Sequence, residues 1–176
     1  MKIIKRINCF FDRMMHDVRL FKIKPSLICC GITLALGILS WFIGGRADRV
    51  MLFYIFPRSA LPIGLMYFLW ALSFAIFGLI IGGVLFGCEK FRHQEATKVS
   101  IFLIIGFLLS LCIYPIFFRS LSPFIAFVFF VIVLLLCFLA LISSIRIYSL
   151  WTLLIGMHML WILYNCYLAL TIAMIN

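Results

Sequence analysis

The sequence predicts an all-α integral membrane protein, a bundle of five transmembrane helices, and two observations carry that prediction. Of the 176 residues 67% are apolar and only 11% charged, and the mean hydropathy of +1.29 lies far outside what a water-soluble domain sustains. The second observation is the charge map. An ionised side chain at the centre of a bilayer costs about 2.5–3.5 kcal/mol or more, so the gaps between charges mark the spans. No Asp, Glu, Lys or Arg falls within 27–45, 59–88, 99–118, 120–145 or 147–176. Each gap reaches the roughly 17–25 residues a spanning helix needs. A β-barrel would show ~10-residue segments alternating in polarity, whereas these stretches are apolar on every side. Little chain remains for a soluble catalytic domain, a disulfide-rich module or a nucleic-acid-binding face, despite the net charge of +10.

Residues 1–25 form a basic amphipathic segment. Ile3, Ile7, Phe10, Met14, Val18 and Phe21 recur at helical spacing among lysines and arginines, the pattern of a helix lying along the inner membrane surface. The alternative is the n-region of a signal peptide, but the next apolar run is too long for an h-region and no clean cleavage site follows. Residues 26–176 form the membrane domain, with spans over 27–45, 62–87, 99–118, 123–145 and 148–174. Lysines and arginines collect on cytoplasmic flanks. With the N-terminus inside, Lys2, Lys5, Arg6, Arg13, Arg19, Lys22, Lys24, Lys90, Arg92, Lys98 and Arg146 lie inside, eleven of the fifteen. Arg46, Arg49, Arg58 and Arg119 lie outside. The expected topology is N-in and C-out, in a bacterial cytoplasmic membrane.

The interior offers little chemistry. Ion-coupled transporters and membrane hydrolases place carboxylates, basic groups or metal clusters within their spans, and none occurs in these gaps. The seven cysteines form no CxxC pair and sit mostly in spans, as small apolar fillers rather than disulfides or metal ligands. Cys88, at the inner end of the second span, suits packing more than palmitoylation. Binding is favoured over bond-breaking.

The polar groups that do enter the spans cluster on the last one. His158, Trp161, Asn165 and Leu168 follow at i, i+3, i+7 and i+10, one stripe of a helix. Two readings stand: a pocket wall, or interhelical hydrogen bonds worth about 1 kcal/mol each. His158 lacks a second ligand one turn away, so it reads as a hydrogen-bond donor rather than a metal ligand. The second span starts at Pro62, an N1-type position, passes Trp70, and carries Gly78, Gly82, Gly83 and Gly87 in two GxxxG registers. Intramolecular packing is the favoured use of those glycines, with a homodimer seam as the alternative.

From about residue 30 onward the chain resembles the TspO/MBR family, the tryptophan-rich sensory or translocator proteins. Tyr54, Pro57, Pro62, Trp70 and Gly78 match the family's first loop and second helix in spacing. Phe117, Phe118, Ser122, Pro123 and Ala126 match the end of the third helix and the short loop after it. Trp161, Leu168 and Asn176 match the last helix. The chain departs from the pattern where Gly106, Ser110 and Ile113 replace Gln, Asn and Trp, where Met157 and His158 replace Pro-Tyr, and where Asn165 and Ala169 replace a small residue and Asn.

The resemblance implies a five-helix, often dimeric bundle with a pocket open toward the first loop and lined by the second and last helices. The ligand it implies is a flat hydrophobic molecule, a porphyrin or haem-type tetrapyrrole or a sterol. Trp70 and Trp161 would then stack on the macrocycle, and Arg46, Arg49 and Arg58 would meet its propionates. The candidate ligand-binding residues are Trp70, Trp161, His158, Asn165, Pro57, Pro62, Tyr54 and Arg58, with no catalytic residue and no metal. No cofactor is required. The expected partners are the hydrophobic small molecule, the lipid bilayer and a second copy in a homodimer, with no nucleic acid. A sensory or transport role follows, and light-dependent porphyrin oxidation, proposed within the family, is the one turnover left open. The alternatives are a small exporter of an apolar solute, or a regulatory partner subunit docked through the basic N-terminal segment.

Overall fold

The computed structural model describes residues 22–44, 54–87, 93–120, 122–145 and 149–176. Most of the basic amphipathic segment, Arg46, Arg49 and Cys88 lie outside them. The described residues form five helices, α1 (Ile23–Gly44), α2 (Ile63–Gly87), α3 (His93–Ser120), α4 (Pro123–Ser144) and α5 (Ser149–Ile175), and contain no strand. All five are long and apolar enough to cross a bilayer. At 1.5 Å per residue, even the 22 residues of α1 reach about 33 Å, against a hydrocarbon core of about 30 Å. The chain is an all-α, multi-pass membrane protein.

Two helix starts differ from the expected spans by more than two residues, for one reason. α1 starts four residues before the expected 27, through Lys24 and Pro25, and α3 starts six before 99, through Glu95 and Lys98. Charge gaps mark where the membrane begins, whereas a helix continues into the headgroup region as long as its charged side chains reach water. Glu95 and Lys98 face each other there as an exposed i, i+3 pair at 3.1 Å. α4 begins as expected at Pro123, with Ser122 as its N-cap.

The packing inverts the soluble pattern. Leu27, Phe42, Phe68, Phe124, Leu135 and Leu160 are exposed on the surface a bilayer would cover. The inward face of α1 carries Ser26, Thr33, Gly37, Ser40 and Gly44, and that of α4 carries Ala126, Val133, Cys137, Ala140 and Ser144. Lipid tails solvate Leu as well as a protein core does, so small residues go where backbones must approach. α2 touches α1, α3 and α5, α3 touches α1, α2 and α4, and the ring of neighbours closes in the order α1, α2, α5, α4, α3.

Three of the five glycines of α2 are spent within the chain. A Cβ on Gly78 would lie 2.5 Å from Cys30 Cα and 2.6 Å from the Cys29 carbonyl oxygen, and one on Gly82 would lie 2.7 Å from Ser26 Cα. Gly83 lies against the indole of Trp151 on α5. A second copy has no access to these three residues. Across the same seam the Thr33 hydroxyl lies 2.9 Å from the Phe74 carbonyl oxygen and 3.0 Å from the Cys29 and Cys30 carbonyls of its own helix, one proton shared among acceptors on both helices.

Pro115 interrupts α3. Lacking an N–H, it leaves the carbonyl of Leu111, four residues earlier, without its helical donor. The Ser40 hydroxyl of α1 donates to that carbonyl. In a bilayer no water is at hand to do so, and a neighbouring helix supplies the bond instead.

Candidate functional site

Four of the eight candidate ligand-binding residues meet in one place. Trp70 of α2 and His158, Trp161 and Asn165 of α5 line a single cavity, with Ser73, Phe74 and Phe77 of α2, Ser110 and Ile113 of α3, Phe130 of α4 and Ile162 of α5 completing its wall. On α5 the i, i+3, i+7 spacing aims three of these side chains the same way, as the stripe predicts. Leu168, the fourth member of the stripe, is buried but does not reach the cavity.

The lining is aromatic with a few neutral polar groups. Trp70 meets Phe74 edge-on at 4.9 Å, Phe74 and Phe77 both meet Phe107, and the His158 imidazole stands edge-on to Phe77 at 4.1 Å. Ser73 donates to the Trp70 carbonyl, Ser110 to the Gly106 carbonyl and the Asn165 amide nitrogen to the Trp161 carbonyl. These are i, i−3 or i−4 bonds within each residue's own helix, not bonds between helices. The interhelical hydroxyl bonds at Thr33, at Ser40 and between Ser144 and Thr152 lie elsewhere. His158 is 2% exposed, and neither of its ring nitrogens has a protein partner. Among the described residues no three His, Cys, Asp or Glu side chains converge as a metal site.

The cavity is small. It leaves about 20 Å³ for the centre of a water molecule, against the roughly 10–15 Å³ that one water requires. A flat macrocycle enters only if the surrounding helices part.

The other four candidates lie apart, on the first loop. Pro57, Arg58 and Ser59 form a turn closed by the Ala60 N–H on the Pro57 carbonyl, at 2.9 Å, with Arg58 exposed. Pro62 is not at N1 as expected but one position earlier, since α2 starts at Ile63, and its carbonyl accepts the Met66 N–H at 3.0 Å. That is the role of an N-cap carbonyl. Tyr54 stacks on Phe117 of α3 with centroids 6.5 Å apart. None of the four lines the cavity.

What joins loop and cavity is a set of side chains on α5 that spacing alone did not single out. The Leu61 N–H donates to the Tyr164 hydroxyl at 2.9 Å, Ser59 and Tyr167 share a hydroxyl bond at 2.8 Å, and the Asn176 side chain both accepts from the Ile55 N–H and donates to its carbonyl. Tyr164 stacks on Trp161 at 5.6 Å with an interplanar angle of 25°. The loop is thus bonded to a ring that backs the cavity wall. Tyrosines on a helix end beside a loop were the available signal, but a tyrosine at a membrane interface has a generic role as well.

No family model matches the chain, and no curated protein matches it.

Proposed function

We propose that the chain is a membrane receptor for a flat hydrophobic ligand, a tetrapyrrole or sterol-like molecule, taken up between α2 and α5. One observation supports this above the others. Trp70 and Trp161, about ninety residues apart in sequence, face one aromatic cavity with His158 and Asn165 between them. Two indoles set around a neutral interior suit a large flat π-system, which gains from burial and from ring geometry together. Arg58, exposed on the first loop, is the described cation nearest in sequence to carry a ligand's carboxylates.

Because the resting cavity is water-sized, uptake includes an opening step. The loop clasp is its natural control, since Tyr164 holds Leu61 on one side and stacks on Trp161 on the other. The N-in, C-out orientation in a bacterial cytoplasmic membrane belongs to the same proposal and rests on the eleven inner lysines and arginines. A homodimer would have to form on lipid-facing residues, because the α2 glycines at 78, 82 and 83 are covered.

The test is a titration of the detergent-purified protein with protoporphyrin, following tryptophan emission, with Trp70→Phe and Trp161→Phe alongside. Saturable quenching weakened by either change supports the reading. Linear, non-saturating quenching in all three proteins removes it. Directional flux of the ligand in proteoliposomes would separate a transporter from a sensor.

A further inference from the structure

The cavity's hydrogen-bonding inventory points to a second, smaller occupant. Ser73, Ser110 and Asn165 have each placed a proton on a helix carbonyl; the two hydroxyl oxygens and the amide oxygen keep acceptor capacity, and the Asn165 amide keeps one further N–H. His158 has at least one N–H in either charge state, and it is buried at 2% exposure with both nitrogens unpartnered. Leaving such a group unsatisfied is costly in any interior, and in a bilayer no solvent stands by to help. The space beside it has room for one water.

We propose that this cavity is a binding site for one small hydrogen-donating molecule, water in the resting protein, which accepts from the His158 N–H and donates to two of the oxygens of Ser73, Ser110 and Asn165. A water there gains about three hydrogen bonds, the usual number for a buried one. The same inventory sets a selection rule. A molecule that both accepts and donates can replace the water without stranding the His158 N–H or the cavity's oxygens, whereas one that brings only an acceptor cannot. The proposal uses the same cavity as the receptor reading but does not require a macrocycle.

The experiment has two arms on the full chain. In the unaltered protein, a crystal structure fine enough to place waters, or a nuclear Overhauser signal from water to the His158 ring protons, is expected to find one ordered water within hydrogen-bond reach of His158. A dry cavity overturns the proposal. In Phe130→Ala, which enlarges the cavity by about a ring, the probes are pyrazole, whose ring carries one N–H donor and one nitrogen acceptor, and furan, a five-membered ring with an oxygen acceptor alone. The His158 ring nitrogen resonances should saturate with pyrazole at a concentration at least tenfold below that for furan. Equal affinities overturn the selection rule, and if the variant does not fold the first arm decides alone. Failure of protoporphyrin to quench would remove the macrocycle and leave the water in place, so the two readings fail separately.

Discussion

The two faces of α2 are built on opposite rules. Toward α1 it presents Gly78 and Gly82 to Ser26, Cys29, Cys30 and Thr33, and nothing larger than a hydrogen fits there. Toward α5 and α3 it presents Trp70, Phe74 and Phe77, and a void remains beside His158, although the Phe74 ring also packs on Gly37 of α1 and Gly83 closes on Trp151 of α5. On the first face a hydroxyl donates between helices. On the second, serine and asparagine bond back to their own helices while a histidine goes without. Small residues let a seam close completely, and bulky rings of fixed shape leave gaps that only a ligand or a water can fill.

The largest expected effect tests the closed seam. Gly78→Leu drives a side chain into the α1 backbone, and overpacking of that kind costs about 1–3 kcal/mol and occasionally more. Loss of monodisperse protein on size exclusion, or a large fall in Tm, is the expected outcome. Gly156→Ala, where an added Cβ meets nothing within 4 Å, should leave Tm unchanged or slightly raised. If both behave alike, the two faces do not differ as described.

On the open face, Trp161→Ala should weaken protoporphyrin binding tenfold or more, since a stacked aromatic contributes about 1–3 kcal/mol, while thermal stability falls far less than for Gly78→Leu. An affinity unchanged within twofold would take the ligand out of this cavity. A smaller effect is expected at the α1–α3 contact. Ser40→Ala strands the Leu111 carbonyl beside Pro115 and should cost about 1 kcal/mol, read as a shift in thermal midpoint. Ser40→Thr, which keeps the hydroxyl, should recover most of it. The smallest change belongs to the loop clasp. Asn176→Ala removes two exposed bonds to Ile55, worth about 1 kcal/mol or less together. Faster hydrogen exchange at the Ile55 amide, with little movement of Tm, is the outcome to look for.

Much of the fold was legible because charge is so expensive in hydrocarbon. The five gaps between charged residues predict five helices, and the described residues form five, with starts displaced by more than one residue where Lys24, Glu95 and Lys98 continue a helix beyond the apolar stretch, and the end of α3 where Arg119 does. The stripe on α5 was legible for a similar reason, since polar residues are rare enough in a span that three at helical spacing stand out. Its partners were not. Ser73 and Ser110 are ordinary serines in apolar runs, and Phe74, Phe77 and Phe130 are three of twenty phenylalanines. In a helix apolar all round, periodicity does not say which face turns inward.

The sequence by itself determined that this chain crosses a membrane five times as helices, that its spans carry no fixed charge, and that His158, Trp161 and Asn165 share a face. Those follow from the cost of desolvating charge and from the 3.6-residue period, both local properties of the chain. Only the tertiary structure decided that the α2 glycines close on α1 and α5, that Ser40 supplies the bond Pro115 withholds, and that Trp70 joins the α5 stripe around a space of one water. The loop prolines and Arg58 were placed apart from that space by the same packing. Which ridge meets which groove depends on the shapes of side chains from distant helices, and no single span encodes that.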